Sequence, residues 1–141
     1  MTAPIGPYSS IVRAGPWLAC SGQLGVLDGA IVAGGVPAQT EQALANLSHL
    51  LAGEGASLDD VVKATVFLTD MAEFSAMNEV YAAAFTGRYP ARSTIAVVAL
   101  PCGGDVEIEA WAYRPEPSLP SDVAGVTGGR SVPDVVPTGE V

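Results

Sequence analysis

Along the first 115 positions apolar segments alternate with turn signals, and the spacing inside each segment sets its type. Residues 10–14 and 17–21 flank a Gly15-Pro16 turn and read as a hairpin of two short strands, which brings Tyr8 and Gly22 to segment ends. From 37 to 51, Ala43, Leu44, Leu47, Leu50 and Leu51 recur at helical spacing, with Pro37 suited to a first turn and Gly53 and Gly55 to the exit. Ser57-Leu58-Asp59-Asp60 carries a capping pattern and leads into 61–68, rich in Val, Thr and Phe, which reads as a central strand. Asp70, with Glu73 three positions on, is expected to cap a second helix. There Phe74, Met77, Tyr81 and Phe85 form one stripe facing a sheet, and core packing alone explains them.

Residues 94–100 and 106–113 are two further strands around a Pro-Cys-Gly-Gly-Asp turn. This order of strands and helices predicts an α+β fold, a mixed sheet with two helices on one face. Two helices leave the other face bare, and light surface charge gives no sign that it is solvated, so it is expected to meet other subunits. From Glu116 onward Pro117, Pro120, Gly125, Gly128, Gly129, Pro133, Pro137 and Gly139 interrupt every potential element. The division expected is therefore a domain at 1–115 and a flexible Pro/Gly-rich tail at 116–141, to which no chemistry is assigned.

Composition narrows the function. With 141 residues, 49% hydrophobic and 15% charged, the chain fills one core. A net charge of -9, with only six scattered cations, argues against a nucleic-acid partner, whose phosphates need clustered Lys and Arg. No run approaches a membrane span and no basic-then-apolar leader opens the chain, so a cytoplasmic protein without a membrane partner is expected. Cys20, Cys102 and the single His49 show no metal-ligand spacing, and no metal or cofactor is called for. Cys20 reads as a buried, unreactive thiol; Cys102 is read the same way, although its turn can expose it.

One of the six cations stands apart. Arg92, in Pro90-Ala91-Arg92-Ser93-Thr94, sits at the mouth of an apolar strand, fifteen positions before Glu107 in Glu107-Ile108-Glu109. A guanidinium there is costly to desolvate unless something anionic meets it, and its planar fork suits a carboxylate or phosphate. If the last two strands form a hairpin about 101–104, Arg92 lies opposite Tyr113 and Glu107 opposite Val98. That separates them by roughly 20 Å at about 3.4 Å per residue. Either the two are unrelated, or the site forms where Arg92 of one subunit approaches Glu107 of another. Spacing alone leaves open that both are ordinary solvated surface charges.

Four further blocks accompany that closing one: Pro4-Ile5-Gly6-Pro7-Tyr8-Ser9, Cys20-Ser21-Gly22-Gln23, Gln39-Thr40 through Asn46, and Val62-Lys63-Ala64-Thr65-Val66-Phe67-Leu68 onward through Asn78. Together they resemble the reactive-intermediate deaminase (RidA/YjgF) family of small enamine and imine deaminases. The resemblance implies a chorismate-mutase-like subunit in a homotrimer, with pockets between neighbouring chains for a small 2-imino or 2-keto acid. It implies Arg92 as the carboxylate clamp and Glu107 as the group positioning or activating water. Tyr8 and Asn78 become pocket walls, Ser21-Gly22 a backbone contact, and Thr94, where many relatives have Cys, a substrate-binding position through its backbone. His49, outside these blocks, reads as structural. The competing expectation is a non-enzymatic trimer that binds small carboxylates, as a metabolite sensor or a chaperone-like module.

Overall fold

Gly15, at φ +59°, closes the first turn between β1 (Ile11–Ala14) and β2 (Trp17–Leu24), which pair antiparallel with Ile11 opposite Cys20. The computed structural model describes residues 4–117, so the tail expected from Glu116 lies, from residue 118 on, outside the described residues. Next comes a two-residue hairpin of β3 (Val26–Leu27) and β4 (Ala30–Ile31). Its turn residues Asp28 and Gly29 have φ of 51° and 84°, the left-handed pair that an Asp-Gly turn favours.

Helix α1 (Gly35–Gly53) carries Pro37 in its first turn, as expected, and buries Leu44, Leu47 and Leu51. A one-turn helix at Leu58–Asp60 follows, where Ser57 N donates to Asp60 Oδ2 at 2.9 Å, and leads into β5 (Val61–Leu68). Asp70 Oδ1 accepts from Ala72 N at 2.9 Å, but it starts a short turn at Met71–Glu73 rather than the helix proper, α2 (Phe74–Ala84). Met77, Tyr81 and Phe85 are buried from α2 and its exit against Leu18, Val66, Leu68 and Ile108 of the sheet.

The last two strands depart from the sequence expectation. β6 spans Ala91–Ala96 instead of 94–100, and it runs parallel to β5 rather than forming a hairpin with β7 (Val106–Tyr113). The five-stranded sheet has the order β1-β2-β7-β5-β6, so β7 is the middle strand and β5 separates it from β6. Helix α2 supplies the crossover that parallel neighbours require. The apolar run after Ala96 leaves the sheet because it must pass over the end of β5: Val97 N donates to Leu68 O at 2.8 Å, and Thr69 N to Asp105 O at 3.0 Å.

Alternation then sorts the side chains. Leu18, Cys20, Ala64, Val66, Ile108 and Ala110 face the helices and are buried. On the opposite face Trp17, Trp111 and Tyr113 remain 42%, 48% and 44% exposed, an apolar surface that nothing in the chain covers among the described residues.

Candidate functional site

Parallel pairing puts Arg92 beside Ala64, on the helix side of the sheet and under α2. Its guanidinium carbon lies 4.6 Å from the centroid of the Tyr81 ring and 5.7 Å from that of Phe74. Its Nη2 donates to Asn78 Oδ1 at 2.7 Å. Phe74, Asn78 and Tyr81 fall at i, i+4 and i+7, so one face of α2 grips the cation from above. Stacking of this kind contributes about 0.5–2 kcal/mol and holds the planar group in one orientation. Among the described residues Arg92 has no carboxylate within ion-pair distance, whereas Arg13 pairs with Glu54 at 3.0 Å and Arg114 with Asp60 at 3.5 Å.

Two residues along β6, Thr94 shares that face, and its Oγ1 is buried without a hydrogen-bond partner among the described residues. The Tyr81 hydroxyl is also buried and unpartnered; burial pushes its pKa above the ordinary range, against the pull of Arg92, so it keeps its proton. The Arg92 fork, whose Nη1 also lies 4.0 Å from Met77 Sδ, and two hydroxyls without partners among the described residues are therefore carried on the α2 side of β6. Leaving a buried hydroxyl unpaired costs about 1–3 kcal/mol.

Glu107 is held differently. Its neighbours Val106 and Ile108 are fully buried under the helices, so its own side chain emerges on the opposite face, half-buried, with Leu24 and Phe67 as its register partners. The β2–β7 register slips between Cys20 and Gln23, and Gly22 lies in that irregularity. A methyl group on Gly22 would stand 2.7 Å from the carboxyl carbon of Glu107, so only glycine leaves room for the acid. Burial, and then the like charge of Glu109, hold the Glu107 carboxyl above the usual carboxylate range.

Of the remaining expected residues, Tyr8 and Ser21 gather around Gly22. Ser21 donates from Oγ to Ser9 O at 2.7 Å and from N to Ser10 O at 2.9 Å, tying the N-terminal segment with Tyr8 against β2. Gln23 Nε2 donates to the carbonyls of Ser21 and Gly22 at 2.9 and 3.2 Å. Tyr8, half exposed, and Gly22 line a cavity of about 190 Å³ together with Asn46 and His49. His49, expected to be structural, thus opens on the same hollow as Tyr8. Asn78, expected as a pocket wall, is the acceptor that fixes Arg92. Cys102, expected buried like Cys20, is exposed at a left-handed φ of 57°, because the turn after Pro101 points its side chain outward.

Arg92 and Glu107 do not meet in one chain. Ala64 links their registers: it pairs with Arg92 on one side and Ala110 on the other, and Glu107, three residues from Ala110, has the opposite parity. The sheet itself stands between them. The hairpin geometry is replaced, and a small ligand still cannot touch both groups of a single chain. Among the described residues no group of three His, Cys, Asp or Glu is placed to hold a metal ion, and no helix is long and apolar enough to cross a membrane.

Comparison with known proteins bears on this arrangement. The family model described as Endoribonuclease L-PSP matches residues 1–114. A 2-iminobutanoate/2-iminopropanoate deaminase of Capra hircus is 47% identical over 114 residues, covering 79% of this chain and 83% of that protein. Protein DfrA of Myxococcus xanthus is 48% identical over 113 residues, covering 77% and 86%. Among solved structures, RidA from the Antarctic bacterium Psychrobacter sp. PAMC 21119 superposes with a TM-score of 0.75 at 43% identity, covering 79% of this chain and 91% of that one. E. coli TdcF with bound serine gives 0.76 at 39%, with the same coverage of 79% and 91%.

Proposed function

The chain belongs to the Endoribonuclease L-PSP family, that of RidA and YjgF, and from this premise we propose that it hydrolyses reactive 2-imino and enamine acids to 2-keto acids and ammonia. The observation that carries the reading is Arg92: a cation clamped by Tyr81, Phe74 and Asn78, with its fork unpaired by any carboxylate among the described residues. Such a group is poised for a carboxylate, and a 2-imino acid carries one next to its electrophilic carbon. The relatives named as deaminases of 2-iminobutanoate and 2-iminopropanoate, and the serine in TdcF, agree with a small amino-acid-derived ligand.

In this reading the subunit has the chorismate-mutase-like fold and forms a homotrimer through the face bearing Trp17, Trp111 and Tyr113. Each site joins Arg92, Asn78 and Thr94 of one chain to Glu107, Tyr8, Ser21 and Gly22 of its neighbour, which reconciles two groups that a single chain separates by its sheet. Arg92 grips the substrate carboxylate, and the backbone at Thr94 supports it. Water adds to the carbon of the protonated imine, C=NH₂⁺, and Glu107 orients that water and takes its proton. The proton passes to nitrogen, the C–N bond breaks to release ammonia as Glu107 takes the remaining hydroxyl proton, and the carbon retains the water oxygen as a ketone; ammonia then carries that proton away as ammonium. General-base help of this type contributes about 10²–10⁴ in rate.

The description of the family model names an endoribonuclease, yet a net charge of -9 is a poor electrostatic match for RNA. A reducing compartment such as the cytoplasm suits two free thiols, Cys20 and Cys102. The test is to generate 2-iminobutanoate with an amino-acid oxidase and follow its loss with wild type and with Arg92→Ala. Acceleration that disappears in the variant supports the reading. Carboxylate binding without acceleration favours a non-enzymatic binder, and salt-sensitive RNA binding favours the ribonuclease description.

A further inference from the structure

Glu107 stands where three strand ends converge, and each of those ends is tied to one pair, a buried glutamine and a half-buried aspartate. Gln39, on the first turns of α1, is 3% exposed. Its Nε2 donates to Asp105 Oδ2 at 2.8 Å, while its Oε1 accepts from Asp105 N at 2.8 Å. Only one orientation of the amide satisfies both bonds, because the backbone N–H needs an acceptor and the carboxylate needs a donor. Asp105 lies two residues before Glu107, so this pair fixes where β7 begins.

The same pair reaches the strands on either side. Thr69, one residue past the end of β5, donates from N to Asp105 O at 3.0 Å and from Oγ1 to Asp105 Oδ1 at 3.4 Å. Gly25, one residue past the end of β2, packs so closely on α1 that an added methyl would stand 2.5 Å from Gln39 Cα. The register partners of Glu107 are Leu24, beside Gly25, and Phe67, two residues before Thr69. Gln39 and Asp105 therefore fix β2, β5 and β7 together at the level of the carboxylate.

We infer that Gln39 and Asp105 are positioning residues: their reciprocal hydrogen bonds hold the Glu107 carboxylate against Gly22 without touching a ligand themselves. This rests on the role assigned to Glu107 in the proposed hydrolysis. Gln39→Glu sets two carboxylates against each other where an amide met an acid. The exchanged pair Gln39→Glu with Asp105→Asn restores both bonds with the side-chain polarity reversed, since the new carboxylate accepts from the backbone N–H and from the new amide.

The experiment measures kcat for 2-iminobutanoate, affinity for 2-ketobutanoate, and the NMR titration of the Glu107 carboxyl carbon in wild type, Gln39→Glu and the exchanged pair. The charged groups sharing the face of Glu107 are Glu109 on β7 and Lys63 on β5, both unchanged in these variants. Expected for Gln39→Glu is a fall in kcat of about 10²-fold. Keto-acid affinity is retained, because Arg92 lies on the other face, and the exchanged pair recovers both kcat and the Glu107 titration. Joint loss of kcat and keto-acid affinity, or no recovery in the exchanged pair, overturns the positioning role. So does a Glu107 titration that Gln39→Glu leaves unmoved, whatever the activity. A wild-type protein that fails to hydrolyse the imine, with the titration displaced and restored as described, overturns the hydrolysis and leaves the positioning role standing.

Discussion

Gly22 and Glu107 share a space that admits no third group: any side chain on Gly22 would press into the carboxyl end of Glu107, with its Cβ 2.9 Å from Cγ. The obstructing atoms belong to the end of a side chain, so Gly22→Ala should displace the carboxylate rather than unfold the strand. Expected is a stability change of no more than about 1 kcal/mol. Turnover of 2-iminobutanoate falls roughly 10²-fold, as for a misplaced catalytic group. Thermal unfolding and steady-state kinetics on the same preparation check both parts.

Arg92→Lys removes the fork and the stacked plane while keeping the charge. Each charge-assisted hydrogen bond lost is worth about 1.5–3 kcal/mol, so keto-acid affinity should fall by roughly 10–150-fold. The ammonium cannot reproduce both the stack on Tyr81 and a bidentate grip. Calorimetric titration with 2-ketobutanoate measures the change.

Two opposite signs are expected from the carboxyl of Glu107. Its pKa is raised by burial and by Glu109, so turnover should decline as pH drops through that raised value, above the usual glutamate range near 4.3. Glu109→Gln removes the like charge and moves this acidic limb to lower pH. For stability, a carboxyl raised in the folded state contributes most below its unfolded value, and that contribution is lost as pH rises through the folded value. Glu107→Gln should therefore raise the Tm at neutral pH and leave it unchanged in acid.

The two thiols should part company. Cys20 is buried, and burial together with Glu54 pushes its thiol up to about 11, whereas Cys102 is exposed. One thiol per chain should react with a disulfide reagent at pH 8 in the native protein, and both after denaturation.

The elements were largely legible because their signals are local. Leu44, Leu47 and Leu51 set α1 by spacing, Gly15-Pro16 set the first hairpin, and the stripe from Phe74 to Phe85 set α2. The Asp28-Gly29 hairpin carries an equally local signal, an Asp-Gly pair between two short apolar segments. What spacing does not encode is which strand pairs with which. Adjacency in the chain suggests a hairpin of the last two strands, but β5 intervenes because the segment from Val97 to Asp105 crosses its end. The same non-local pairing hid the cage around Arg92: Tyr81 and Phe74 were legible as a stripe, but only β6 lying beside β5 puts the guanidinium beneath them. Gln39 and Asp105, 66 positions apart, carried no joint signal at all.

Mixing two inactive variants tests the shared site most directly. Arg92→Ala keeps Glu107, and Glu107→Gln keeps Arg92, so in the proposed homotrimer neither variant alone forms a complete site. Co-assembled at equal amounts, random trimers pair an intact Arg92 with a neighbour's intact Glu107 at about one quarter of their interfaces, given a cyclic assembly. Recovery of about one quarter of wild-type turnover in the mixture is the predicted result. A mixture as inactive as its two components, with exchange of subunits verified by mass, contradicts a site built from Arg92 of one chain and Glu107 of the next.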